Sequence, residues 1–208
     1  MAVNVESLTN QVYDLIWEKI MNHEFKPGDQ IPTKQIAEDN KISVMPVRLA
    51  LQQLTDHGIV IKKERVGFYV ATFTLRDLIE ISHVRKMFEL YCLSKYFNNL
   101  DLRLAQKIYD RISTSDRYEA TQYRKLDTEL HNLFITASDN SFLIRQYEQV
   151  KDVFALCIYF DRNNTISHSK SKIEHIIMLQ HILNNEKDKA IDALQMHLER
   201  VENNIIDG

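Results

Sequence analysis

Residues 43–73, SVMPVRLALQQLTDHGIVIKKERVGFYVATF, decide how the first third of this chain folds. Ser43 can cap a helix whose first turn holds Pro46, at a place where backbone donors lack an intrahelical partner in any case. Val47, Leu51 and Leu54 then recur as a buried stripe, and the helix stops at His57-Gly58. Beyond it, Ile59-Val-Ile-Lys-Lys63 and Phe68-Tyr-Val-Ala-Thr-Phe73 are β-branched and aromatic runs separated by a short turn containing Gly67, the pattern of a β-hairpin. Upstream, Val12, Leu15, Ile16 and Ile20 recur at helical spacing, and Phe25-Lys-Pro-Gly28 reads as a turn. Thr33 can cap a short second helix running through Asn40. Three helices followed by a hairpin is the order of a winged helix-turn-helix, so residues 1–73 are expected to form a DNA-binding domain.

The composition changes at the end of that hairpin. All three prolines and three of the four glycines lie between Pro27 and Gly67, and neither residue type occurs from Phe68 to Ile206. A stretch that long cannot make the tight turns of a sheet, whereas helices joined by Asn, Asp and Ser loops need neither residue. The spacing predicts helices near 75–98, 101–113, 117–138, 141–162, 168–184 and 186–204, the first after Thr74 as a cap. The expected fold class is therefore mainly α: a winged helix-turn-helix, then an all-α bundle of about six helices over 74–208.

With 44% hydrophobic and 26% charged residues the chain has the composition of an ordinary soluble globular protein, and no apolar run approaches a membrane span. The start, MAVNVESLTNQVYD, lacks the basic-then-apolar pattern of a signal peptide, and Cys92 and Cys157 both sit in apolar helical patterns. A cytoplasmic setting with no membrane partner is the expectation. A net charge of -3 excludes a protein that coats nucleic acid indiscriminately, yet leaves room for a local basic face.

A recognition helix needs an exposed N-terminal end with long donors and an apolar opposite face, which Ser43-Val44-Met45-Pro-Val-Arg48 supplies. Arg48 is the candidate base contact, because a guanidinium can meet guanine O6 and N7 with two bonds. Lys34 and Ser43 at helix starts, and Lys62, Lys63 and Arg65 beside Gly67 in the wing, could meet phosphates of double-stranded operator DNA.

In the helical part, Asp127 and His131 are four residues apart, which places a carboxylate and an imidazole on one helix face. His175 and His197 fall in the last two predicted helices, and a bundle can bring facing helices together around an interior ion. Spacing alone also permits four ordinary surface or core residues. His181, six beyond His175, matches the same face poorly and is left outside the set.

At two levels the sequence resembles a known family. Pro27-Gly28, Ile36-Ala-Glu38, Ser43-Val-Met-Pro-Val-Arg-Leu-Ala-Leu51 and Leu54-Thr-Asp-His-Gly58 resemble the DNA-binding domain of GntR-family bacterial regulators over about residues 8–73. Val44, Met45 and Leu49 stand where those regulators usually carry an arginine, a threonine and a glutamate, and Val66 stands where the wing often has an arginine. Val84-Arg85, Phe88-Glu89, Asp127-Thr-Glu-Leu-His131 followed by Asn140, Glu174-His175 and Met196-His197-Leu198 resemble the FCD effector domain of the FadR-type subgroup, over roughly 75–204. That resemblance implies a divalent metal ion on Asp127, His131, His175 and His197, zinc first, with nickel, manganese and iron open. It also implies a small carboxylate effector at the open coordination positions, with Arg85 and Asn140 as effector-binding residues, and a homodimer. For Arg85 the alternative is an ion pair to Glu89, four residues on.

These residues predict a DNA-binding transcription regulator, a repressor in sense, whose operator affinity follows an organic acid bound at a metal. The competing reading is a metal-dependent hydrolase in which an open Asp/His3 site activates water, with Glu129 or Glu174 as base. A purely structural ion in the bundle is the third.

Overall fold

In the computed structural model, residues 5–114, 120–160 and 168–207 are described. They divide into two compact units, one built on the chain up to Thr74 with 155–160, the other on Leu75–Phe154 and the chain beyond 160.

The first unit opens with α1 (Val5–Met21), followed by β1 (Gln30–Ile31), α2 (Thr33–Asp39), α3 (Val44–Asp56), β2 (Val60–Lys63) and β3 (Gly67–Val70). The three strands form an antiparallel sheet in the order β1-β3-β2, with Lys63 opposite Gly67 and Gln30 opposite Tyr69. Strand β1 had no signal in the sequence, since two residues are too short to show an alternation. Val12, Ile16 and Ile20 of α1 meet Val47, Leu51 and Leu54 of α3, Ile59 just before the sheet and Val70 of β3 in one core.

Two capping expectations need correction. Residue Thr33 is the first residue of α2, not its cap; Pro32 holds the cap position and the Thr33 hydroxyl reaches back to the Ile31 carbonyl. Ser43 does occupy the cap of α3, with extended backbone, but its side chain makes no capping hydrogen bond. The wing turn also differs. Arg65 takes the left-handed conformation (φ 60°), while Gly67 is already in β3. Gly67 has φ +141°, a conformation that side chains rarely adopt, so the backbone calls for glycine here; a Cβ would also lie 2.9 Å from the end of the Gln30 side chain, which would have to shift.

The second unit is all helical: α4 (Leu75–Tyr96), a short 3-10 turn, α5 (Leu102–Thr114), α6 (Ala120–Thr136), α7 (Ser141–Phe160) as far as Phe154, α8 (His168–Leu183) and α9 (Lys187–Asp207). The first residues of the helix expected at 117–138, and the last two of that at 141–162, lie outside the described residues. Where Gly and Pro are missing, side chains shape the connections. Asp101 accepts the backbone N–H groups of Arg103 and Leu104 to start α5, and Asn140 does the same for Phe142 and Leu143 to start α7. Leu93, Ile108, Leu130, Phe134, Leu179 and Leu194 belong to a core drawn from all six of these helices. Helix α4 packs on α6 and α9, and α8 packs on α5 and α9, so α4, α6, α8 and α9 surround one interior point.

Candidate metal centre and nucleic-acid interface

That interior point is lined by imidazoles. Helix α6 brings His131, α8 brings His175 and α9 brings His197; all three are buried, and their ligand atoms lie within 4.8 Å of one another. The His175 and His197 Nε2 atoms are 3.3 Å apart. Oδ1 of Asp127, one turn before His131 on α6 and a third exposed, lies 3.6 Å from His175 Nε2 and 3.8 Å from His131 Nε2.

The outer nitrogens fix which way the rings face. His131 Nδ1–H donates to Glu89 Oε2 at 2.6 Å, and His197 Nδ1–H donates to Glu174 Oε2 at 2.7 Å. A carboxylate can only accept, so each Nδ1 carries a proton, and in the neutral ring Nε2 then presents its lone pair to the interior. His131 Nε2 is buried with no hydrogen-bond partner among the described residues. An orphaned buried acceptor costs about 1–3 kcal/mol, and a cation among these Nε2 atoms relieves it. The donor set suits such an ion: neutral nitrogen ligands, one carboxylate, and carboxylates behind two of the rings.

Burial favours the neutral form of two of the rings. Burial, then the neighbouring imidazoles, holds His175 well below its ordinary value, and burial also lowers His197 against the opposing pull of Glu174. Deprotonated imidazoles are the form that binds metals.

Behind the rings stand two ionic supports. Burial pushes the Glu89 carboxyl up, but Arg85 first and His131 next outweigh it and hold the group down at about 2. Arg85 Nε donates to Glu89 Oε1 at 2.6 Å, the Tyr147 hydroxyl donates to the same oxygen at 2.5 Å, and the guanidinium lies 4.4 Å from the centre of the Phe154 ring. On the other side Glu174 takes two bonds from Arg200, which also donates to the Ser171 hydroxyl at 2.8 Å. Glu174 is lowered: burial raises it, and the bonds from His197 and Arg200 prevail.

The structure thus brings Asp127, His131, His175 and His197 together. Arg85 is buried and takes the ion pair to Glu89 that was its alternative. Asn140 is exposed and its side-chain carbonyl starts α7. Glu129 pairs outward with Arg111 at 2.7 Å and Glu174 is committed to His197 and Arg200, so neither proposed hydrolytic base is aimed at the cluster. His181 bonds Glu186 at 2.7 Å, outside the set. Sequence reasoning missed Tyr147, Ser171 and Arg200, and gave Glu89 and Glu174 no role behind the rings. The i,i+4 spacing of Arg85 and Glu89 was the one available signal; Glu174 and Arg200 meet across two helices and left none.

In the first unit, Arg48 is exposed on α3, as are Ser43 and Met45 at its start. Lys34 is exposed on α2, and Lys62, Lys63 and Arg65 on the hairpin. The Lys63 ammonium sits 4.1 Å from the centre of the Tyr69 ring. Val44 is half-buried and packs against the core, and Gly67 is held by its backbone.

The family model for bacterial regulatory proteins of the gntR family matches residues 8–70, and that for the FCD domain matches 80–200. The chain is a GntR-family transcription regulator with an FCD domain. The regulator is 26% identical over 194 residues to the HTH-type transcriptional regulator YdhC of Bacillus subtilis (strain 168), spanning 90% of this chain and 86% of that one. It is 24% identical over 202 residues to the gluconate operon transcriptional repressor of the same organism, spanning 91% and 81%. Its fold is similar to that of a GntR transcriptional regulator from Rhodococcus sp. RHA1, with a TM-score of 0.82 at 19% identity over 97% of this chain and 99% of that one. The helical unit is similar to the Zn2+-bound FCD domain of TM0439, at 27% identity and a TM-score of 0.59, over 66% of this chain and 96% of that one. The matched families and relatives are DNA-binding regulators and not enzymes, so the hydrolase reading has no support. No helix among the described residues is long and apolar enough to cross a membrane.

Proposed function

We propose that this regulator is a cytoplasmic, metal-dependent sensor of a small organic acid that represses transcription by binding operator DNA as a homodimer. Residues 1–73 read DNA and 74–208 sense. Asp127, His131, His175 and His197 hold a divalent ion, zinc first. The observation that carries this is the convergence of three buried imidazoles, with the Nε2 atom of His131 left without a hydrogen-bond partner among the described residues. Four protein ligands leave room for further coordination, and a carboxylate oxygen suits the open positions of such an ion. Repression is the sense in which the gluconate relative is named, and the Zn2+-bound neighbour has the same kind of domain.

Arg48 with Ser43 and Met45 at the start of α3 reads base edges, while Lys34, Lys62, Lys63 and Arg65 meet phosphates. Effector binding shifts the balance between two placements of the DNA-reading heads, and operator affinity follows. The test is fluorescence anisotropy on the DNA upstream of the protein's own gene beside a scrambled duplex. The protein is chelator-treated, then given zinc, then zinc with a panel of organic acids. Preference for the native duplex that changes with an acid only when zinc is present supports the proposal. An acid response that survives chelation or His175→Ala overturns it.

A further inference from the structure

We infer that Met45 and Leu49, on the outer face of α3, read the 5-methyl groups of thymine in the operator, so that T·A pairs flank the base pair met by Arg48. This rests on the reading of α3 as the operator-reading helix and supplies the base preference of that surface.

Helix α3 buries Val47, Ala50, Leu51 and Leu54. At about 100° per residue the opposite side carries Met45, Arg48, Leu49, Gln52 and Asp56 in one stripe, and all five are exposed. Two of the first three are large and apolar: Met45 is 62% accessible and Leu49 39%. Neither joins the core that holds the inner side of the helix. Gln52 gives its amide N–H to Asp56 at 2.9 Å, which turns it toward the C-terminal end of the stripe. That end is acidic and unsuited to phosphate, whereas the first two turns carry Arg48 and no carboxylate. The part of α3 fit to enter a groove is therefore one guanidinium with an apolar side chain on either side. Lys34, Lys62 and Arg65 of the same unit are exposed as well, and their charge matches a DNA backbone rather than an apolar protein partner.

The chemistry of base edges chooses the target. In the major groove guanine, adenine and cytosine present hydrogen-bonding atoms, and among the four unmodified bases thymine alone adds a methyl group. An apolar side chain laid against the first three strips water from atoms whose hydrogen bonds it cannot replace. Against the thymine methyl it buries carbon on carbon. Met45 and Leu49 are four residues apart, about 6 Å along the helix axis, which spans about two base-pair steps of roughly 3.4 Å. Arg48 lies between them along that axis, so a guanidinium set on guanine brings the two side chains over neighbouring pairs. The stripe then selects twice, by what its arginine bonds and by the polar edges that its apolar members reject.

The test takes a duplex enriched from a random pool by the full chain, with and without added zinc, and titrates it by anisotropy beside copies that carry deoxyuridine for thymine at single positions. Uracil keeps every hydrogen-bonding atom of thymine and removes only the methyl, and a change on the DNA cannot misfold the protein. The enriched duplex is expected to hold two thymines within about three base pairs of the guanine that Arg48→Ala ceases to distinguish. Uracil at either should weaken wild-type binding by roughly three- to fivefold, the effect of one buried methyl. Met45→Ala should weaken binding to the thymine duplex and become indifferent to uracil at one of the two positions, and Leu49→Ala at the other. The salt dependence of both variants should match the wild type, because no phosphate contact is lost. Failure to enrich any sequence overturns both this assignment and the reading of α3 as the operator-reading helix. A specific duplex indifferent to uracil at every position overturns the methyl contacts and leaves operator reading intact. Uracil sensitivity that persists in both variants gives the methyl contacts to other residues and overturns the inference.

Discussion

Glu89 on α4 accepts the Nδ1 proton of His131 on α6 at 2.6 Å, while its other oxygen is held by Arg85 and Tyr147. A single buried carboxylate therefore orients one ring of the cluster and compensates one buried guanidinium. Glu89→Ala strips both at once. Removing one partner of a buried ion pair costs about 3–5 kcal/mol, which urea denaturation of the variant should show. Glu89→Gln keeps the shape and weakens the orientation, and should reduce zinc affinity by roughly 10–100-fold in a chelator competition. Unchanged affinity would mean that the ring is oriented without the carboxylate.

Zinc should raise the unfolding temperature of the purified protein, and a chelator should reverse the gain. With free ion at about 100 times its dissociation constant the added stability is about 2.7 kcal/mol. His131→Ala, His175→Ala and His197→Ala should each abolish the zinc-dependent part of the shift in a thermal scan. A shift that persists in all three would place the ion elsewhere.

Acid should destabilise the ion-free protein in two steps. Burial holds His175 well below 6.5, and His197 is lowered as well. As pH falls below 6.5 the unfolded chain takes up protons that the native state refuses, so stability, fully present above that value, falls at up to about 1.4 kcal/mol per pH unit for each group. The second step belongs to Glu89, whose folded value of about 2 lies below the ordinary 4.5: its contribution is present above 4.5 and is lost as pH falls toward 2. Urea midpoints measured from about pH 7.5 to pH 3 check both windows. A midpoint that rises between pH 7 and pH 5.5 would contradict buried neutral imidazoles.

Arg48→Ala should remove about 1–3 kcal/mol of discrimination between the operator and a scrambled duplex and leave binding to the scrambled duplex nearly unchanged. Lys62→Ala should weaken binding to both equally and flatten the salt dependence. Anisotropy titrations across a salt series separate the two outcomes.

Gly67→Ala should destabilise the first unit. The φ of +141° is unfavourable for any side chain, and the new methyl meets the Gln30 side chain, which is bonded to the Val66 carbonyl. A loss above about 1 kcal/mol is expected, read by denaturation. A neutral substitution would show that the wing shifts freely.

Much of this was legible in the sequence because the deciding signals are local. Val47, Leu51 and Leu54 mark one helix face, Pro46 marks its first turn, and the run without Gly or Pro marks the bundle. Asp127 and His131 were visible as a pair for the same reason, being one helical turn apart. What stayed hidden is whatever depends on helices meeting. Strand β1 exists only because β3 offers it a ladder. Glu174 and Arg200 are 26 residues apart and become neighbours only when α8 packs on α9. Thr33 looked like a cap by residue type, yet the backbone ahead of it placed Pro32 there.

The two sides of α4 give this helix the character of a shared axle. Glu89, on the inner side, is coupled to the ring of His131, and Met87, two positions earlier, points the other way into solvent. Rigid helices do not absorb a twist along their length, so a roll of α4 that followed His131 would turn the exposed Met87 through the same angle. What fills the centre of the bundle and what meets its outer surface are thus geared to one another through a single rotation.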